Sequence, residues 1–223
     1  MTAYRNFVSD FPQRCRQILD ANEKPTTLSG REVTLSLAIA SAALIIPFER
    51  LCPSSADHVA PDRNKEWVGE LGRLLNEPFL KWVGSDSWRQ IQPTSARSIQ
   101  GQNVEQWLDP NAISPLSDDR RVGSVLTVFR NSLAHGNLYT RSGNGSAIQE
   151  LIFLSKRRDD RSTQPCPSCG GRTPRLIDEY EGVIATPRDF VTLLRVWVDF
   201  LARLRLSEDP VQEGYFGIPV VAQ

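Results

Sequence analysis

An excess of charge of either sign is missing from this chain: over 223 residues, 26 Lys and Arg are matched by 26 Asp and Glu. With no overall positive field to draw in a polyanion, any nucleic-acid contact has to come from a local patch. Histidine is scarce, with two copies, and cysteine stands at four. No apolar leader occupies Met1 to Asp10, so the expectation is a cytoplasmic protein with reduced thiols rather than a secreted domain stapled by disulfides. Long hydrophobic runs are absent too. The best candidate, Val33 to Phe48, is 16 residues long and includes Thr34, Ser36 and Ser41. It falls short of the roughly 20 apolar residues a bilayer crossing takes, so no membrane partner is expected. No Gly-rich phosphate loop, dinucleotide fingerprint or carboxylate cluster at metal spacing is present, which removes the enzyme classes built on them. What is there is a 40% hydrophobic content, enough for one full core in a single domain spanning 1–223.

Apolar residues recur mostly at helical spacing. Phe7, Phe11, Cys15, Ile18 and Leu19 give a first amphipathic helix before a break at Asn22 to Pro25. Val33 to Phe48 reads as a helix buried on most sides, opened by a capping box of Ser29 and Glu32 and ended by Pro47 and Pro53. Between Cys52 and Pro115 the chain is cut by six prolines and holds Trp67, Trp82, Trp88 and Trp107. That stretch reads as one helix near Asp62 to Leu75 followed by short turns and loops. Its tryptophans either plug the side of a bundle or shape a substrate groove. Val122, Val125, Leu126, Phe129 and Leu133 form the stripe of a further helix, and Phe190, Leu193, Leu194, Trp197, Phe200, Leu201 and Leu204 the stripe of the last. Thr186 caps that last helix, with Pro187 as its first residue and Asp189 in its first turn. Glu150 to Lys156 and Leu176 to Thr186 flank a polar tip, as in a β-hairpin. The fold expected is mainly α: about four main helices in a bundle, with a small hairpin inserted at 150–186 before the last.

The chemistry concentrates at Val128-Phe129-Arg130-Asn131-Ser132-Leu133-Ala134-His135-Gly136-Asn137. Gly136 and Asn137 both accept the left-handed conformation that ends a helix, so His135 belongs to the last turn. At about 100° per residue, Asn131 and His135 fall roughly opposite the apolar stripe, one turn apart, with Arg130 on the flank. Val128 falls beside His135, away from the stripe, which hints at a partner surface. From there Asn131 could orient a ring nitrogen of His135, while Arg130 could hold an anion. The plain alternative, a surface ion pair for Arg130 and a helix-end cap for His135, is equally open on geometry alone.

Arg-Asn-x-x-x-His at the end of an amphipathic helix, followed by Gly-Asn, resembles the signature of the HEPN superfamily (higher eukaryotes and prokaryotes nucleotide-binding). The resemblance is strongest over residues 115 to 206. It implies a helical bundle, RNA as partner, a homodimer with a composite cleft, and metal-independent cleavage through the 2'-hydroxyl. Arg130, Asn131 and His135 would then be the catalytic group. It also implies a toxin or a defence effector, with an antitoxin or other regulatory protein as a further partner. Some HEPN toxins are silenced by adenylylation of a tyrosine two residues after the histidine. Here that position is Asn137, and Tyr139 stands four residues on. The other reading is a non-catalytic module that binds a nucleotide or a protein partner.

Two features lie on the hairpin. Cys166-Pro167-Ser168-Cys169 has the spacing of a zinc knuckle, but structural zinc takes four ligands and two are present. The expectation is no cofactor and no metal, the alternative a zinc shared by Cys166 and Cys169 of two copies. Lys156, Arg157 and Arg158, with Arg161, Arg172 and Arg175 nearby, make an ordinary solvated loop on their charge pattern alone, and with the family resemblance they are the candidate RNA-phosphate contacts.

Overall fold

The computed structural model describes residues 7–22, 30–45, 47, 65–95, 108, 110–143, 147–165 and 172–204. Among these described residues, six α-helices run in chain order: α1 (Phe7–Asn22), α2 (Gly30–Ala40), α3 (Lys65–Leu75), α4 (Phe79–Val83), α5 (Val122–His135) and α6 (Pro187–Arg203). A π-helical stretch, Ser41–Ile45, continues α2. Interleaved with the helices are β1 (Arg89–Ser95), β2 (Ile113–Pro115), β3 (Leu138–Ser142), β4 (Ile148–Pro165) and β5 (Arg172–Ala185). All five strands form one antiparallel sheet in the order β2-β1-β5-β4-β3.

This sheet overturns the mainly α expectation; the architecture is a helical layer on a five-stranded sheet. Three strands escaped the sequence reading for identifiable reasons. β1, Arg-Gln-Ile-Gln-Pro-Thr-Ser, has one aliphatic residue, and its Pro93 falls where the register with β5 shifts, between Ile91 and Thr94, a place where a missing N–H costs no ladder bond. β2 is three residues long and ends in Pro115 at the sheet edge. β3 is five residues in the shadow of the helix that precedes it. The hairpin of β4 and β5 is not a small insertion either. Those strands stand in the interior of the sheet, and they reach beyond the expected ends.

The apolar run Leu151 to Leu154 explains the layering, because a strand buried on both faces reads as continuous rather than alternating. Leu151 and Phe153 join Val183, Ala185 and the helices in the main core, while Ile152 and Leu154 join Ile91, Leu108 and Ile184 on the other face. Trp88 is fully buried, edge-on to Phe79 at 5.1 Å and to Phe129 at 5.9 Å, so for it the core-filling reading holds and the groove reading does not. The buried Trp197 N–H donates to the Ala43 carbonyl at 2.8 Å and ties α6 to the π-helical stretch. Thr186 caps α6 as expected, accepting from the Asp189 amide at 3.1 Å. Ser29 of the expected capping box, Trp107, Cys52 and His58 lie outside the described residues. No helix among the described residues is long and apolar enough to cross a membrane.

Candidate active site

Helix α5 ends where the sequence says it must. Gly136 adopts φ 69° and ψ 19°, and its N–H returns to the Ser132 carbonyl. The Asn137 N–H reaches the same carbonyl at 2.9 Å, while Ser132 Oγ donates to the Asn137 carbonyl at 2.6 Å. That carbonyl also accepts the Leu154 N–H of β4 at 3.0 Å. The turn carrying His135 is therefore latched to the sheet. The imidazole itself is exposed, and nothing among the described residues holds it.

Arg130 and Asn131 are brought together. Arg130 is half-buried, and its Nη1 donates to Asn131 Oδ1 at 2.7 Å. Asn131 does not share the exposed face of His135, as its helical angle suggested. It is 8% exposed, and its Nδ2 donates to Ser155 Oγ of β4 at 2.8 Å rather than to the histidine. Val128, at 1% exposure, belongs to the core and offers no partner surface, whereas Leu133 is only partly buried against it. The reason is that α5 packs on β4 along one side and on α3 and the π-helical stretch along others. The buried sector is thus wider than an apolar stripe reveals, and it takes in polar Asn131 and Ser132.

The candidate phosphate contacts separate. Strand alternation puts Lys156 on the face of its cross-strand neighbour Tyr180, which packs on the second core. Arg157, where the register shifts, is drawn to the Ser155 face by its ion pair with Glu179, the residue that alternates with Tyr180. Lys156 and Arg157 are both exposed, and Arg157 Nη1 meets Glu179 Oε2 at 3.1 Å. The backbone of Arg158 pairs with Leu176. Cys166 and Cys169 lie outside the described residues. Tyr139 lies on β3 opposite Ile152, partly buried against the second core.

Ser155 is the residue the sequence reading missed. A signal was there: a hydroxyl in phase with Leu151 and Phe153, directly after an apolar run, is a buried polar group that needs a partner.

A protein-family model described as HEPN pEK499 p136 matches residues 1–201. No curated protein and no solved structure matches the chain.

Proposed function

Because the chain belongs to the HEPN pEK499 p136 family, we propose that it is a metal-independent endoribonuclease that cleaves RNA through the 2'-hydroxyl. Membership places it with nuclease or nucleotide-binding modules in general. The observation that carries the finer reading is that one helix end holds both a guanidinium fixed by a buried amide and an exposed imidazole.

In the reaction, the 2'-oxygen gives its proton to His135 and attacks the adjacent phosphorus. The O2'–P bond forms and the P–O5' bond breaks, leaving a 2',3'-cyclic phosphate. Arg130 meets the charge that grows on the non-bridging oxygens, and Asn131 holds Arg130 in place. The departing O5' needs a proton. A homodimer whose symmetry axis lies beside α5 supplies it from the partner's His135. Arg157 extends the site along the RNA backbone, and the reading calls for no cofactor. A toxin or a defence effector, restrained by an antitoxin or regulatory protein, is the biological role that fits such an enzyme.

The test is cleavage of end-labelled single-stranded RNA in EDTA by wild type, His135→Ala and Arg130→Ala. Each variant should lose about 100-fold or more in rate, and the wild-type product should end in cyclic phosphate. A folded wild type that cuts nothing would sink the nuclease and leave the second reading, a module that binds a nucleotide or protein at this helix end. The zero net charge favours that reading, since it gives no long-range attraction for RNA.

A further inference from the structure

Leu151 to Leu154 on β4 are each at most 1% exposed, and Ser155 follows them at 2%. Burying a hydroxyl is costly unless its hydrogen bonds are made. Ser155 Oγ accepts from Asn131 Nδ2 at 2.8 Å and donates to the Lys156 carbonyl at 3.2 Å. At the other end of the same amide, Asn131 Oδ1 accepts from Arg130 Nη1 at 2.7 Å. The strand backbone, serine, asparagine and arginine form one chain, in which each link sets the direction of the next. The Ser155 hydroxyl donates its hydrogen bond to the Lys156 carbonyl, so its lone pairs face Asn131. That in turn fixes which end of the amide is oxygen. Reversed, the amide would set its NH2 against a guanidinium, donor against donor.

We propose that Ser155 is a positioning residue for Arg130, acting through Asn131 across 24 residues of sequence; the inference rests on the nuclease reading of the site. Its role is to hold the cation where charge develops on the phosphate. Such a contribution is made in the transition state, so its loss lowers kcat and kcat/KM together and leaves KM nearly unchanged.

The experiment uses the full chain with single-stranded RNA and compares wild type, Ser155→Ala, Ser155→Thr and the pair Ser155→Ala with Arg130→Lys. Alongside the kinetics, 15N relaxation of the Arg130 Nε–H, assigned by its disappearance in Arg130→Lys, reports how firmly the guanidinium is held. Ser155→Ala should lower kcat by about 10-fold or more, as displacement of a catalytic group by a fraction of an ångström does, and should mobilise Arg130. Ser155→Thr, which keeps the hydroxyl, should restore both. In the Arg130→Lys background, Ser155→Ala should cost little more, because the two act as one unit.

A wild-type kcat per folded molecule in Ser155→Ala, with Arg130 still immobile, overturns the inference and leaves the nuclease standing. If wild type cuts no RNA, the nuclease reading falls alone, and the Arg130 relaxation still decides: mobile in Ser155→Ala supports positioning, immobile overturns it. Should Ser155→Ala not fold, Ser155→Cys, close in size and a weak acceptor, carries the same comparison.

Discussion

Cys15 is 3% exposed where α1 packs on α6, and burial pushes its thiol from 9.0 up to about 11. As pH rises, the unfolded chain therefore gives up this proton before the folded one does. The stability that the neutral buried thiol contributes is fully present below pH 9.0 and is lost as the pH passes through about 11. The thermal midpoint of wild type should thus fall across that window more steeply than that of Cys15→Ala. Equal slopes for the two proteins would show that the thiolate is not penalised. The residues of the candidate site differ in how far local sequence could place them. Arg130 and His135 were legible because helix period and the Gly136 stop are local properties. Asn131 was assigned to the wrong face because its burial depends on β4, and Ser155 could not be joined to the site at all, since a contact 24 residues away leaves no mark on helical spacing.

At the scale of elements, the last turn of α5 carries His135, the base of the proposed reaction, and Gly136 holds that turn shut. A Cβ there would touch nothing within 4 Å, so Gly136→Ala tests backbone strain alone at φ +69°. The cost should be about 1 kcal/mol by denaturant unfolding. RNA cleavage should fall further than that small loss explains, because His135 sits in the turn that frays. Activity unchanged in a destabilised Gly136→Ala would show that the turn need not be fixed. Gly182 on β5 is a contrasting case. A Cβ there would come within 2.7 Å of Leu154 Cδ2, 2.8 Å of Ile91 Cδ1 and 3.0 Å of the Phe153 carbonyl. Gly182→Ala should therefore destabilise by about 1–3 kcal/mol through overpacking, with kcat per folded molecule unaltered, since the clash lies on the face away from α5. The same sheet shows why element type was read unevenly. Helices announce themselves through several turns of periodicity, and the β4 run through its unbroken apolarity. β1, β2 and β3 are short or proline-marked, and they are strands only because β4 and β5 offer them edges to pair with.

For the whole molecule, the sheet divides two apolar clusters, and only the helix-side face leads to the end of α5. On the nuclease reading, zero net charge makes RNA binding draw on local cations, since summed attraction from the whole surface is absent. Arg157 shares the Ser155 face and is held by Glu179 at 3.1 Å, both side chains nearly half exposed at 48% and 42%. An exposed pair of this kind is weak enough to be exchanged for a phosphate. Lys156 is adjacent in sequence but belongs to the opposite face. Affinity for single-stranded RNA, measured across a salt series with His135→Ala, inert on the nuclease reading, as parent, should therefore separate the two cations. Arg157→Ala should reduce the slope of log affinity against log salt by about 0.7, the value of one phosphate contact on a single strand, and Lys156→Ala should leave it unchanged. Glu179→Gln, which frees Arg157 from its carboxylate, should tighten binding at low salt. If Lys156→Ala flattens the slope as much as Arg157→Ala does, RNA is gripped from both faces of the ribbon and the one-sided path past α5 is wrong.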